Sequence, residues 1–115
     1  MSYSQHQLKE LVNNPRELIR FVTSPNADTH LLALGAELLG EVPDENITLP
    51  AFRQLLKHSH ALVREGCMTA LSSCYLGRCP PIDILDKLRA MKKTDPSPDL
   101  KEYAGSLLKD FETQK

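Results

Sequence analysis

At 115 residues the chain has room for one domain with a modest buried core, and its 41% hydrophobic and 25% charged residues fit a globular protein. Lys and Arg number 14 against 15 Asp and Glu, and the resulting net charge of −1 excludes a global attraction to nucleic acid or anionic lipid, so either would need a local basic patch. No apolar run approaches the roughly 20 residues that span a bilayer, and the start M-S-Y-S-Q-H-Q lacks the charged and apolar regions of a signal peptide, so no membrane association and a cytoplasmic location are expected.

The first segment, Ser4 to Asn13, opens on Ser4-Gln5-His6-Gln7, the spacing of a capping box, and carries Leu8, Leu11 and Val12 at helical spacing. Asn14-Pro15-Arg16-Glu17 then predicts a new helix, with Asn14 as cap and Pro15 at the first helical position, and Leu18, Ile19, Phe21 and Val22 as its apolar side. Ser24-Pro25-Asn26 ends it.

Asp28 is placed to cap the next helix, which is rich in leucine at Leu31, Leu32, Leu34, Leu38 and Leu39. Gly35 and Gly40 would each cost about 1 kcal/mol relative to alanine inside it, which close approach of a neighbouring helix would offset. Glu41 to Thr48 reads as a loop, and a helix is expected from about Leu49 to Lys57, with Pro50 in its first turn and Phe52, Leu55 and Leu56 inward.

His58-Ser59-His60 forms a tight turn before a central helix, Ala61 to about Leu76. There Val63, Cys67, Ala70, Leu71 and Cys74 fall on a core stripe, and Glu65, Met68, Ser72 and Tyr75 fall opposite, facing solvent or a partner. Gly77 suits a left-handed helix end, and Cys79-Pro80-Pro81 an extended link. Ile82, Leu85, Leu88 and Met91 give the following helix its apolar spacing. The last helix starts at Ser97-Pro98, with Leu100, Ala104, Leu107, Leu108 and Phe111 inward and a fraying tail E-T-Q-K. With no strand alternation or hairpin signal, the fold class is all-α with about seven helices.

Three segments share one register: Asn26 to Val42, His58 to Cys74 and Asp95 to Phe111. Asp28, His60 and Ser97 align as caps, followed by Leu31, Val63 and Leu100, then Leu32, Arg64 and Lys101. Further on, Leu38 aligns with Ala70 and Leu107, and Leu39 with Leu71 and Leu108. The intervals of 32 and 37 residues, each copy preceded by another helix, are those of a helix-pair solenoid.

D-P-S-P-D-L-K from Asp95, L-V-R with A-L-S around Arg64 and Ala70, and A-E-L-L-G from Ala36 resemble the turn, centre and end of HEAT-like repeats. The resemblance covers about Pro15 to Glu112. It implies a single domain, an α-α superhelix of about three helix pairs at approximately 15–42, 48–76 and 81–112, with Ser4 to Asn13 as an N-terminal capping helix over an unusually apolar first repeat. It leaves function open, since the family includes scaffolds, adaptors, bilin lyases and DNA-repair glycosylases. It also implies that Arg64 bonds turn carbonyls or a neighbouring acid, with Asp28, His60, Ser97 and Lys101 as the other structural repeat positions.

Candidate chemistry is sparse. His58, His60 and Cys67 would offer a metal too few ligands, and Cys67 belongs to the core stripe, so no metal site and no cofactor are expected. Three cysteines are an odd count; Cys67 and Cys74 lie about 10 Å apart along one helix, too far for a disulfide, and Cys79 has no evident activating partner. No phosphate loop, dinucleotide fingerprint, zinc-protease or nucleophile-elbow motif occurs, so no catalytic residue is assigned. The one basic cluster, Lys87, Arg89, Lys92, Lys93 and Lys101, is interrupted by Asp83, Asp86, Asp95 and Asp99, which places a nucleic-acid partner second. A bilin- or base-handling enzyme ranks lower, with only Tyr75 and Tyr103 as aromatics near the second helices.

The expected function is a non-catalytic protein-interaction module or adaptor, since solenoids present the stripe of their second helices. Here that stripe gives the rows Ala33, Glu65, Glu102; Ala36, Met68, Gly105; and Gly40, Ser72, Lys109, flanked by Glu37, Thr69 and Ser106. The expected partner-binding residues are Glu65, Met68, Thr69, Ser72, Glu102, Ser106 and Lys109, with Met68 as the exposed anchor for a partner helix or peptide.

Overall fold

The computed structural model describes residues 3–24 and 28–113. Among these residues the chain forms seven α-helices and no strand. It divides into two compact units, Met1–Cys74 and Tyr75–Lys115. Pro25 and Asn26 of the expected helix break, and Gln114 and Lys115 of the tail, lie outside the described residues.

In the first unit α1 spans Gln5–Glu10, and the capping box forms in full: the Ser4 hydroxyl accepts from the Gln7 N–H at 3.1 Å while the Gln7 side chain accepts from the Ser4 N–H at 2.9 Å. A 3-10 turn, Leu11–Asn13, leads to α2, Pro15–Val22. Its first-turn proline sits as expected, but the Asn14 side chain makes no cap bond, so α2 starts on the fixed φ of Pro15. Leu18, Phe21 and Val22 are buried.

Helix α3, Thr29–Leu38, starts at Asp28, whose carboxylate accepts from the His30 and Leu31 N–H groups at 3.0 and 3.2 Å. Helix α4 corrects the sequence expectation. It spans Glu45–Leu55, four residues earlier than the predicted start at Leu49, because Asp44 caps it by accepting from the Asn46 N–H at 3.0 Å. Pro50 is therefore inside the helix rather than in its first turn. It has no N–H to give to the Asn46 carbonyl four residues back, and both residues are exposed, where solvent can offset the missing bond.

Helix α5, Ala61–Cys74, lies against α3 through small residues. A Cβ on Gly66 would stand 2.5 Å from the Ala33 carbonyl oxygen, and one on Gly40 3.1 Å from the Ala70 Cα, so these glycines are where the backbones come closest. Close approach also accounts for Gly35, where a Cβ would meet Val22 Cγ1 at 2.9 Å. The Cys67 thiol donates to the Phe52 carbonyl at 3.6 Å, tying α5 to α4.

The second unit opens on a turn in which Gly77 takes φ +74°, the left-handed conformation expected of it. Arg78 stacks over the Tyr75 ring at 4.7 Å, and Tyr75 meets Phe111 edge-on. Helix α6, Ile82–Thr94, buries Ile84, Leu85, Leu88 and Met91. Ile82, expected inward, is 70% exposed. It is the first residue after the Pro81 cap, and Ile84 takes the place on the apolar stripe instead. Helix α7, Pro98–Glu112, starts where expected, with the Ser97 hydroxyl accepting from the Leu100 N–H at 3.3 Å, and buries all five predicted positions from Leu100 to Phe111.

Candidate functional site

The three aligned cap positions carry equivalent bonds. Asp28 and Ser97 cap α3 and α7, and His60 does the same for α5 by an unusual route: its Nδ1 accepts from the Leu62 N–H at 3.3 Å. The His58 Nδ1 accepts from the His60 N–H at 3.0 Å, so both imidazoles are tied to the backbone of their own turn. Arg64, 8% exposed, donates from one terminal nitrogen to the carbonyls of His58 and Ser59 at 2.8 and 3.1 Å. The guanidinium thereby closes the turn that precedes its own helix. Lys101, at the register position of Arg64, is exposed and its side chain has no hydrogen bond or ion pair among the described residues, so the shared register does not carry a shared role.

The residues expected to meet a partner differ in exposure. On α5, Glu65 is exposed and Thr69 and Ser72 are half-buried, all within an arc of about 60°. Met68 is a correction: it is 0% exposed, and Tyr75, placed on the same face, is 2% exposed. The reason lies in how much of α5 is enclosed. Val63, Arg64, Gly66, Cys67, Met68, Ala70 and Leu71 are all buried, an arc of about 200° rather than one stripe, and Met68 lies on its flank. The face therefore keeps its polar residues and loses its apolar anchor. On α7, within the second unit, Glu102, Ser106 and Lys109 are all exposed and share an arc of about 60°. Gly105, beside them, is half-buried, and the methylenes of Lys92 lie where its missing side chain would make ordinary contact, at 3.6 Å.

The basic cluster does not converge. At about 100° per residue, Lys87 lies on the opposite side of α6 from Arg89, Lys92 and Lys93. Arg89 is bonded to Asp86 at 2.7 Å and lies 3.6 Å from Glu112, which neutralises it. Among the described residues no group of three or more His, Cys, Asp or Glu is arranged to hold a metal ion. Burial pushes the Cys67 thiol well above the ordinary range, with the neighbouring Cys74 adding to the shift, so Cys67 is held as a neutral thiol. Cys74 lies 3.7 Å from the Leu39 carbonyl, and Cys74 and Cys79 are half-buried thiols outside any disulfide.

Two open hollows lie on α2, where sequence reasoning had placed nothing. One, of about 440 Å³, is lined by Arg16, Ile19, Asn46 and Ile47. The other, of about 270 Å³, is lined by Tyr3, Glu17, Arg20, Phe21 and Ser24, and its floor is the edge-on pair of Tyr3 and Phe21 with ring centres 5.4 Å apart. Ile19, expected on the inward apolar side of α2, is half-buried, and Ile47 gave no signal because the expected start of α4 left it in a loop.

No protein-family model, curated protein or solved structure matches this chain.

Proposed function

We propose that this protein is a non-catalytic interaction module built from HEAT-like helix pairs, an α-α superhelix of about three repeats behind the capping segment Ser4 to Asn13. The observation that supports this reading is the equivalence of the three sequence copies. Asp28, His60 and Ser97 each accept a backbone N–H two or three residues on, and the two later aligned positions are buried in every copy: Leu38, Ala70 and Leu107, and Leu39, Leu71 and Leu108. Repetition of a cap followed by the same inward pair is what stacking of helix pairs requires. The conspicuous polar cluster at His58, His60 and Arg64 serves this local architecture, since its groups are bonded to the backbone of the turn.

A partner helix or peptide is recognised on the exposed arcs of the second helices, through Glu65, Thr69 and Ser72 on α5 and through Glu102, Ser106 and Lys109 on α7. With Met68 buried, recognition on these arcs is polar, and rim-type charges of this kind set association rate and salt dependence more than affinity. The test is affinity capture from the native host with the wild-type chain and with a Glu65→Arg, Thr69→Arg, Lys109→Glu triple variant. None of the three positions is buried, and unchanged far-UV circular dichroism of the variant checks that the fold is retained. Loss of a wild-type partner supports the surface; retention of every partner removes it.

A further inference from the structure

We propose that the exposed ridge of α2 and the hollows on its two flanks form a docking surface for an extended acidic peptide, with apolar side chains about three residues apart and a carboxylate between them. This deepens the interaction-module reading and rests on it, but it places recognition on a different helix.

The argument starts from the positions on α2. At about 100° per residue, Arg16 and Arg20 stand one turn apart on the same ridge, Ile19 lies to one side, and Glu17 and Phe21 lie to the other. The hollow containing Ile19 and the hollow containing Phe21 are therefore separated by the two arginines. Each hollow has two large apolar or aromatic side chains in its lining: Ile19 with Ile47 in one, Tyr3 with Phe21 in the other. A helix with its side chains is about 10 Å across, and a chain in the extended polyproline II conformation advances about 3.1 Å per residue with three residues per turn, so a segment crossing the ridge would turn side chains three residues apart to the same side and reach both hollows with them.

Charge chooses the residues between those anchors. Arg20 is bonded to Glu17 at 2.9 Å, but Arg16 is exposed and has no acidic partner among the described residues, so the ridge carries an unmatched positive charge facing the crossing chain. A guanidinium of this kind takes a carboxylate in paired hydrogen bonds. The wall beyond Ile19 also suits an extended backbone. Asn46 lines the same hollow, and an asparagine side chain carries both a donor and an acceptor for a peptide group.

The test is fluorescence anisotropy with a labelled Gly-Leu-Glu-Asp-Leu-Gly peptide, its lysine-substituted counterpart Gly-Leu-Lys-Lys-Leu-Gly, and a labelled single-stranded oligonucleotide. We expect the acidic peptide to bind, the lysine form to bind at least 10-fold more weakly, and binding to fall several-fold between about 50 and 300 mM salt. Arg16→Glu should weaken the acidic peptide at least 10-fold, and Ile47→Ala several-fold, both with unchanged far-UV circular dichroism. Lys109→Glu should have no effect. Absence of binding at 1 mM peptide, or binding indifferent to Arg16→Glu, overturns the proposal. Tighter binding of the oligonucleotide than of the peptide overturns it in favour of a polyanion surface. If the peptide fails to bind while the second-helix triple variant loses its captured partner, this surface falls and the module reading stands. If peptide binding needs Arg16 while capture ignores the triple variant, the second-helix surface falls instead.

Discussion

Gly66 and Gly105 occupy aligned helices two register positions apart, and they should respond to alanine with opposite signs. In a helix interior, alanine is favoured over glycine by about 1 kcal/mol, so intrinsic propensity predicts a gain at both. At Gly105 the new Cβ would meet only the Lys92 methylenes at 3.6 Å, an ordinary contact with a flexible chain, and most of that gain should appear. At Gly66 the same atom would stand 2.5 Å from the Ala33 carbonyl oxygen. Carbon and carbonyl oxygen settle at about 3.3 Å, so α3 or α5 must withdraw by about 0.8 Å. The obstruction is backbone, with the Ala36 Cβ only 3.4 Å away, so no rotamer change relieves it. Overpacking of this kind costs about 1–3 kcal/mol, and a withdrawal that opens the α3–α5 seam adds lost contacts. We expect Gly66→Ala to destabilise by about 1–2 kcal/mol net and Gly105→Ala to stabilise by about 0.5–1 kcal/mol. Urea denaturation followed by circular dichroism at 222 nm reads both. A neutral or stabilising Gly66→Ala would refute the close α3–α5 crossing.

Arg64→Lys should lose about 2 kcal/mol, because the lysine nitrogen ends one bond short of the guanidinium nitrogen that donates to both the His58 and Ser59 carbonyls at a site 8% exposed; urea midpoints check this, and a loss below 0.5 kcal/mol would remove the turn-closing role. Thr48 is fully buried and its hydroxyl has no hydrogen-bond partner among the described residues, so Thr48→Val, which keeps the shape, should raise stability by about 1 kcal/mol and the melting temperature by about 4 °C; a lower melting temperature would mean that the hydroxyl is paired. The raised pKa of Cys67 has a definite sign: above about pH 8.5 the unfolded thiol ionises while the buried one stays protonated, so stability is complete below that pH and falls by about 1.4 kcal/mol per further pH unit. Denaturation between pH 8 and 10 should show this extra slope in the wild type and not in Cys67→Ala, and equal slopes would overturn it.

What the sequence made legible was local. Ser4, Asp28 and Ser97 are caps because their side chains reach backbone N–H groups two or three residues on, and nothing distant is needed to see it. The errors lie where a local rule left two answers. The start of α4 was misplaced because proline is usually a first-turn residue, whereas Pro50 is tolerated in the interior by leaving the Asn46 carbonyl on the exposed side. Ile82 and Ile84 both fit the spacing of Leu85, Leu88 and Met91, and the position of Ile82 directly after the Pro81 cap decides between them. Met68 was misjudged because helical periodicity locates the centre of a buried stripe and not its width. That width depends on how many neighbours enclose the helix, which is a tertiary property. Gly66 escaped notice for the same reason, since only the course of α3 reveals what its missing side chain makes room for.

The residues that agree among the three copies are also those whose roles are filled by the fold. The caps are bonded to backbone, and the aligned inward pairs are buried. A position so constrained cannot also be free to meet a ligand, so specificity must reside where the copies diverge or where no copy exists. Leu32, Arg64 and Lys101 illustrate the divergence: in one register they are a buried leucine, a turn-closing guanidinium and an exposed ammonium. Arg16 and Arg20 belong to no copy at all. They stand on a short helix whose inward side is filled by Leu18, Phe21 and Val22, and the two hollows beside them depend on α2 having Tyr3 on one flank and α4 on the other. An internal repeat therefore directs the search for function away from itself, toward the helix that sequence reasoning had treated only as the first half of a pair.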